Sequence, residues 1–292
     1  MYSISNWILF LLLFIFFAIL SYTLFHKCFT EWTVEGFDSG SGLDVNYAVL
    51  YGKVSYHRPF QERFAQLCRE ICPDRTARVL VIGTRSGHVQ QELAKYYGKG
   101  EGEGELLGQD DSRSMLRELK ENYPKLRTVL MDPREKNMEM RGQYDLIVCP
   151  DLYIYQFSLE DQQRIYEALY MYKKAVGYIV MPMFNVEELQ TKPREHSSNY
   201  VDEQENVHAI TYYDQFVYDT WFDIGEQGET WMEIVKKDLF EMENHEKKKL
   251  QTTKYYVERV ESTMQDLDKI GYRVKKEWRD KDREDRIYLV CV

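Results

Sequence analysis

The chain has 292 residues, of which 44% are hydrophobic and 29% are charged, so it can bury a large core and is not a disordered polymer. Its 48 acidic residues outnumber its 38 basic ones, and the net charge is −10. This balance argues against a nucleic-acid partner, because such binders neutralise phosphates with a basic surface. Five cysteines in a chain of this length do not indicate a disulfide framework. The length predicts one or two domains.

The N-terminal segment differs in composition from the rest of the chain. Residues 7–25 read WILFLLLFIFFAILSYTLF, without one charged side chain. A helix of that length spans roughly 28 Å, close to the hydrocarbon thickness of a bilayer. A buried core helix and a cleaved signal peptide are the alternatives, but the segment has no polar face, no basic residue before it and no small-x-small cleavage site after it. We therefore predict a single-pass transmembrane anchor in residues 1–30, with the lipid bilayer as its partner.

The flanks of this anchor indicate its orientation. Lys27 follows the apolar run and no basic residue precedes it, which places the large C-terminal part on the cytoplasmic side. Residues 31–46 include the sequence SGSG at 39–42 and predict a flexible spacer. The remaining residues, 47–292, are predicted to form one domain.

From residue 47 onward, short apolar runs alternate with segments of helical period. Short buried strands separated by helices predict a parallel sheet that is covered on both faces. An aromatic-rich insertion at about 186–250 is predicted to be largely extended, and a helix starting near Val257 ends at Gly271. The final runs, 272–278 and 287–292, flank a charged loop and predict a hairpin. The five runs predicted as parallel strands are 78–82, 106–110, 128–131, 145–149 and 177–181.

A glycine turn follows the first of these strands, in the sequence Gly83-Thr84-Arg85-Ser86-Gly87. Ligands of open parallel sheets bind at the carboxyl ends of the strands, and glycines allow the backbone to approach a ligand closely. A tight turn without a ligand is an equally good interpretation of this motif alone. Its G-x-x-x-G spacing differs from G-x-G-x-x-G, which argues against a nicotinamide-dependent oxidoreductase.

Acidic residues mark the next two strand ends. Asp110 lies at the tip of the second strand, where a carboxylate can accept hydrogen bonds from both hydroxyls of a ribose, and Ser112 is the predicted N-cap of the next helix. Asp132 ends the third strand, at a place suited to a contact with an adenine amino group. Three neighbouring strand ends with suitable residues strengthen the prediction of a ligand site.

The order of these motifs resembles that of the class I S-adenosylmethionine-dependent methyltransferases. The resemblance includes the glycine turn, the run Gly108-x-Asp110-x-Ser112-x-x-Met115-Leu116 and the strand before Asp132, and it covers residues 47–292. It implies a Rossmann-like α/β fold: a mostly parallel seven-stranded sheet with helices on both faces and a C-terminal antiparallel hairpin.

The same resemblance implies that S-adenosylmethionine is the cofactor. It does not identify a catalytic residue, because methyl transfer needs mainly the alignment of donor and acceptor. No metal site is predicted, since Cys68 and Cys72 have no suitably spaced partners. The implied cofactor contacts are Gly83, Thr84 and Gly87 with the methionine part, Asp110 with the ribose, and Met115 and Asp132 with the adenine.

Two positions depart from the family pattern. Val81 stands where the family usually has an acidic residue, and Arg85 stands where its turn usually has a middle glycine. Our leading hypothesis is a membrane-anchored methyltransferase that acts on a small-molecule or membrane-proximal acceptor. The alternative is a catalytically inactive methyltransferase-like fold that serves as a membrane-tethered binding or scaffold module.

Other residues are weaker candidates for a role at the site. His57 and His88 flank the predicted cofactor end and are the two histidines that we consider as bases. The next two sets have ordinary packing in the core as the alternative interpretation. Three residues after the fourth strand are candidates for a substrate mouth: Asp151, Tyr153 and Tyr155. Aromatic residues of the insertion are candidates for a lid: Tyr212, Tyr213, Phe216, Tyr218, Trp221, Phe222 and Trp231.

Overall fold

The computed structural model describes residues 47–97, 105–184, 198–201, 207–213, 216–228, 230–242, 248–281 and 286–292. The predicted anchor, spacer and orientation signal all lie outside these residues and stay predictions. Within the described residues, every helix is too short or too polar to cross a membrane. The residues from Val45 to Val292 form one compact unit.

Helices and strands alternate through the first half of this unit, and strands dominate afterwards. Short 3-10 helices at Met138–Met140 and Leu152–Gln156 stand before and after the fourth strand. The helices are α1 Tyr47–Ser55, α2 Arg58–Ile71, α3 His88–Ala94, α4 Arg113–Asn122, α5 Leu159–Tyr172 and α6 Val260–Ile270. The strands are β1 Val79–Ile82, β2 Leu106–Asp110, β3 Arg127–Leu130, β4 Tyr144–Val148, β5 Lys173–Phe184, β6 Ser198–Val201, β7 Val207–Tyr213, β8 Phe216–Gln227, β9 Trp231–Met242, β10 Lys248–Glu258, β11 Val274–Arg279 and β12 Arg286–Cys291.

The central sheet has seven strands in the order β11-β12-β5-β4-β1-β2-β3. Strands β1 to β5 are parallel to one another, whereas β12 runs antiparallel to β5 and forms a hairpin with β11. The predicted Rossmann-like fold, with a mostly parallel seven-stranded sheet and a C-terminal antiparallel hairpin, is therefore confirmed.

Strand β1 shows why helices cover both faces of this sheet. Its side chains are all buried, and successive residues point to opposite faces. Val79 and Val81 pack in one core cluster with Phe64 of α2. Leu80 and Ile82 pack in a second cluster with Leu169 of α5. Each fully buried side chain of this kind contributes about 1.5–3 kcal/mol of stabilisation, so neither face can be left in water.

The aromatic-rich insertion forms a separate antiparallel sheet between β5 and α6. Its five strands follow chain order, β10-β9-β8-β7-β6, as a meander. The predicted insertion at about 186–250 covers β6 to β9 and the beginning of β10, which continues to Glu258.

The structure corrects the predicted start of the helix that follows the meander. Val257 belongs to β10, where it pairs with Met232 and is 3% exposed, and helix α6 begins only at Val260. The spacing of Val257 fits a helical face in the sequence, but burial against the neighbouring strand decides its conformation. The helix ends at Gly271, as predicted, with a φ of +113° that favours glycine.

Candidate functional site

A cavity of about 110 Å³ lies at the carboxyl end of the central sheet, where that sheet meets the antiparallel one. The glycine turn after β1 forms one wall, and strands β8, β9 and β10 of the meander form the opposite wall. The charged and hydroxyl-bearing residues among those that line it are Tyr51, Ser55, Thr84, Arg85, Ser86, Asp151, Tyr218, Lys236, Tyr255 and Arg286.

The glycine turn is a tight left-handed bend. Gly83, Arg85 and Gly87 have φ values of +63°, +50° and +78°, in the region that glycine adopts without steric cost. Thr84 is buried and fastens the bend, because its backbone N–H donates to Gln109 O at 2.9 Å and its hydroxyl donates to Gln90 Oε1 at 2.8 Å. The turn is thus held against the end of β2.

Asp110 is fully buried beside this turn. Its carboxylate accepts the backbone N–H of Arg85 at 2.8 Å and that of Ser112 at 3.0 Å. Burial raises the pKa of Asp110 above its usual value, although the Arg85 guanidinium and the two N–H groups act against this shift. Ser112 caps α4 as predicted, since its hydroxyl accepts the N–H of Met115, a buried residue in the first turn of that helix.

Asp132 has a different set of contacts. Its carboxylate accepts hydrogen bonds from the backbone N–H of Arg134 at 2.9 Å and from the Arg134 guanidinium at 2.5 Å. These hydrogen bonds lower the pKa of Asp132. The structure therefore brings the turn and Asp110 together. Asp132 is next to them, because the backbone N–H of Met131 donates to Asp110 O at 3.0 Å, but its carboxylate is in an ion pair with Arg134.

Two side chains cover the glycine turn. The ring of Tyr153 lies so close to Gly83 that a Cβ atom added there would be 2.4 Å from Tyr153 Cγ. The guanidinium carbon of Arg85 lies 4.6 Å from the centre of that ring, and its Nη2 donates to Gln156 Oε1 at 2.5 Å. The backbone of the turn and Asp110 fit the cofactor that the sequence implies, and Arg85 and Tyr153 lie against these same groups.

Solved structures with a similar fold come from methyltransferases. An amino pentose methyltransferase from Micromonospora echinaspora, solved with S-adenosylmethionine bound, is 12% identical, with a TM-score of 0.61 over 87% of this chain and 99% of that one. A sugar N-methyltransferase from Streptoalloteichus is 15% identical, with a TM-score of 0.61 over 88% and 96%. An S-adenosylmethionine-dependent methyltransferase from Clostridium acetobutylicum is 13% identical, with a TM-score of 0.60 over 84% and 96%.

The chain has the class I methyltransferase fold. No protein-family model matches the chain, and no curated protein matches its sequence. Since the identities of these structural relatives are this low, the likeness concerns the fold alone.

Asp151 stands where β4 of the methyltransferase fold ends, and it lines the cavity. Its carboxylate accepts the Tyr51 hydroxyl at 2.5 Å and Arg286 Nη1 at 2.6 Å. The other two residues predicted at a substrate mouth lie elsewhere. Tyr153 covers the glycine turn, and Tyr155 is buried in the core with its hydroxyl donating to Pro182 O at 3.1 Å.

The meander contributes a buried charge pair that the sequence analysis missed. Lys236 Nζ lies 2.8 Å from Asp238 Oδ1, an oxygen that also accepts the hydroxyls of Tyr218 at 2.6 Å and Thr220 at 2.9 Å. Burial acts to lower the pKa of Lys236, but Asp238 raises it well above the usual value, so the ammonium stays charged. The signal in the sequence is charged residues alternating with Ile234 and Phe240 on the buried face of a strand.

The predicted aromatic lid is only partly at the cavity. Tyr218 and Phe222 line it, at positions of β8 that point to one face. Tyr212 is 71% exposed, and Trp221 lies under Lys237 with its ring centre 5.7 Å from the ammonium. Four residues of the meander line the cavity, and the predicted lid includes two of them, Tyr218 and Phe222, but not Lys236 or Tyr255.

Helix α1 closes the side of the cavity near the glycine turn. Its Gly52 O accepts His88 Nε2–H at 2.7 Å, and the hydroxyls of Ser55 and Ser86 lie 3.0 Å apart. Because a carbonyl oxygen can only accept, the His88 proton is on Nε2, and Nδ1 accepts the Tyr123 hydroxyl at 2.8 Å.

Of the two histidines considered as bases, His88 lines the cavity and His57 does not. Both ring nitrogens of His88 hold α1 and Tyr123 in place, and burial lowers its pKa. His57 is the N-cap of α2, where its Nδ1 accepts the N–H of Phe60 at 3.2 Å. Their hydrogen bonds assign both residues to local structure.

Proposed function

We propose that this protein is a membrane-anchored methyltransferase that transfers a methyl group from S-adenosylmethionine to a small-molecule or membrane-proximal acceptor. One observation carries the proposal: a single cavity joins the glycine turn at the end of β1 to the carboxylate of Asp151 at the end of β4. Donor and acceptor must meet in one place for direct transfer, and residues from both sheets line this cavity. Two of the structural relatives are an amino pentose methyltransferase and a sugar N-methyltransferase, which supports a small acceptor.

S-adenosylmethionine would supply an electrophilic methyl group carried on a sulfonium. We propose that the backbone of the turn holds its methionine part and that Asp110 binds the ribose hydroxyls. Met115 and Asp132 remain the residues proposed for the adenine. The backbone N–H groups of Arg85 and Ser112 already orient the Asp110 carboxylate, which supports its role in binding hydroxyl groups.

Asp151 is the residue proposed to face the acceptor. Tyr51 and Arg286 hold its carboxylate through two short hydrogen bonds, so its orientation is set before an acceptor binds. A carboxylate in this position can accept a hydrogen bond from an N–H or O–H group of the acceptor and take up its proton. The acceptor would then present its lone pair toward the turn.

One observation favours a second candidate function. Arg85 and Tyr153 cover the turn, and this supports a catalytically inactive methyltransferase-like module that binds or scaffolds at the membrane. The two functions differ in whether the chain binds S-adenosylmethionine at all.

Calorimetric titration of the detergent-solubilised full chain with S-adenosylmethionine separates them. For the enzyme we expect a dissociation constant in the micromolar range that Asp110→Ala weakens about tenfold or more, a loss of about 1.4 kcal/mol. The matched control is Asp145→Ala, which removes a carboxylate bound to Lys174 Nζ at 2.8 Å and should leave binding unchanged. Absent binding up to millimolar cofactor would reject the enzyme and favour the inactive module.

The acceptor side has its own test. We expect Asp151→Asn to keep the cofactor affinity of the parent and to lower methyl transfer about 100-fold, within the usual range for loss of a proton-accepting group. Loss of cofactor affinity in this variant would assign Asp151 to the donor side instead.

We also propose that the helix predicted at 7–25 anchors the protein and that the domain after the spacer at 31–46 faces the cytoplasm. The uncharged length of the apolar run and the position of Lys27 support this arrangement. Alkaline carbonate should leave the full chain in the membrane pellet. In intact cells, protease added outside should not reach the domain, and cleavage there would reverse the proposed orientation.

A further inference from the structure

Arg85 holds an unusual backbone conformation at the centre of the glycine turn. Its φ of +50° is, among the residues that the structure describes, the only positive value at a residue other than glycine. Such a conformation is unfavourable for a residue with a Cβ atom, so it persists only where surrounding contacts hold it.

The contacts of Arg85 supply that support. Its backbone N–H donates to Asp110 at 2.8 Å, and its Nη1 lies 3.7 Å from the other oxygen of the same carboxylate. The guanidinium lies on the ring of Tyr153 and donates to Gln156, and the side chain is only 13% exposed. Arg85 therefore sits against the carboxylate that the cofactor ribose would need.

Tyr153 packs against the turn at Gly83. It is 2% exposed and touches the position where Gly83 would carry a side chain. Tyr153 thus lies against Gly83 and Arg85 lies against Asp110, while other atoms of the turn line the cavity. Asp110 itself does not line the cavity, whereas Arg85 does.

We propose that Arg85 and Tyr153 form a plug that closes the cofactor site, and that Arg85 sets the cofactor affinity because the plug must open before the cofactor binds. This inference rests on the proposed function, since it concerns the same site. A site that is open for only a fraction of the time has its apparent dissociation constant raised by the inverse of that fraction. The Arg85 guanidinium can move away from Asp110 into solvent, because water will solvate it. The Asp110 carboxylate then still accepts the backbone N–H groups of Arg85 and Ser112.

A plug and simple charge repulsion predict different effects of removing Arg85. Repulsion acts on the positive sulfonium of S-adenosylmethionine and spares S-adenosylhomocysteine, whose sulfur is neutral. A plug hinders both ligands alike, because both need the room over the turn. Comparing the two ligands therefore distinguishes the explanations.

The test is calorimetric titration of the full chain in detergent with each ligand, in the parent and in Arg85→Gly. The change removes the side chain and suits the positive φ, and we expect both ligands to bind about tenfold tighter. The matched control is Arg78→Gly, which removes an arginine lying 5.5 Å from the ring centre of Tyr144 and paired with Glu105 at the start of β1. This control should bind both ligands like the parent.

The outcomes separate the plug from the proposed function. If the parent binds both ligands and Arg85→Gly binds neither more tightly, the plug is overturned while the function stands. If only S-adenosylmethionine gains affinity, repulsion replaces the plug. If neither protein binds either ligand, the proposed function fails and the inference fails with it. Should Arg85→Gly not fold, Gln156→Leu removes one hydrogen bond from the guanidinium and should tighten S-adenosylhomocysteine binding about threefold; an unchanged affinity there also counts against the plug.

Discussion

Arg85 and Asp110 form a buried ion pair across the turn after β1, with the guanidinium 3.7 Å from a carboxylate that is wholly shielded from water. The two residues also share a backbone hydrogen bond, so the pair is joined at two points. Removing one member of such a pair leaves the other charged group without its partner in a poorly solvated place.

We expect Asp110→Ala to lower the free energy of unfolding by about 3 kcal/mol, because it removes the buried acceptor of the Arg85 and Ser112 backbone N–H groups together with the ion pair. Urea denaturation measures this loss. The control is Glu105→Ala, whose carboxylate pairs with Arg78 and Arg127, two arginines that are 31% and 69% exposed, and which should cost about 1 kcal/mol. Equal losses in the two variants would show that the buried Arg85–Asp110 pair stabilises the fold no more than the partly exposed pairs of Glu105 do.

Gly83 and Gly142 provide a matched pair of substitutions. Both have φ near +60°, but a Cβ on Gly83 would collide with Tyr153, whereas nothing lies within 4 Å of one on Gly142. We expect Gly142→Ala to cost about 1 kcal/mol from backbone strain alone and Gly83→Ala to cost at least about 2 kcal/mol more from the collision. Chemical denaturation of both variants gives the difference, and similar losses would contradict the close contact with Tyr153.

The protonation of His88 should make stability depend on pH. Burial lowers its pKa below the usual 6.5, although Gly52 and Glu118 act in the opposite direction. Because the unfolded chain then binds a proton more readily than the folded one, the stability present above pH 6.5 is lost as the pH falls toward the lowered value. The drop in Tm between pH 7.5 and 5.5 should be smaller in His88→Gln than in the parent. An unchanged drop would assign the pH dependence to other groups.

The hydrogen bond between Tyr51 and Asp151 should hold α1 against the cavity. We expect Tyr51→Phe to lower stability by about 1–2 kcal/mol and to speed amide hydrogen exchange in residues 47–55, since α1 loses a bond to a charged group. Tyr56→Phe is the control, because Tyr56 is 52% exposed and contacts His88 only through its ring. If the amide protection of α1 is the same in Tyr51→Phe as in the parent, the other contacts of α1 are sufficient to hold this helix in place.

The central sheet and the strand ends could be predicted from local patterns. The apolar runs of β1 and β4 are buried on both sides, so they stand out as continuous hydrophobic segments. Gly83, Gly87 and Asp110 follow directly from those strands, and chain order in a parallel sheet brings their ends together.

The rest of the site depends on contacts between distant parts of the chain. Nothing near Arg85 in the sequence indicates that its guanidinium meets Tyr153 and Gln156. Lys236 reaches the cavity because of the register between β8 and β9, and register is a property of strand pairing. The predicted start of α6 is wrong for the same reason, since pairing with Met232 keeps Val257 in β10.

The insertion of the meander between β5 and α6 has a consequence for the order of folding. Within the described part of the chain, each of the strands β6 to β10 pairs with its neighbours in sequence, and such local hairpins close quickly. In contrast, β12 pairs with β5 through residues such as Arg286 and Phe184, which the whole meander separates in the chain. We therefore expect the meander to gain protection early in refolding, while the edge of β5 stays open to pairing with other chains until β12 docks.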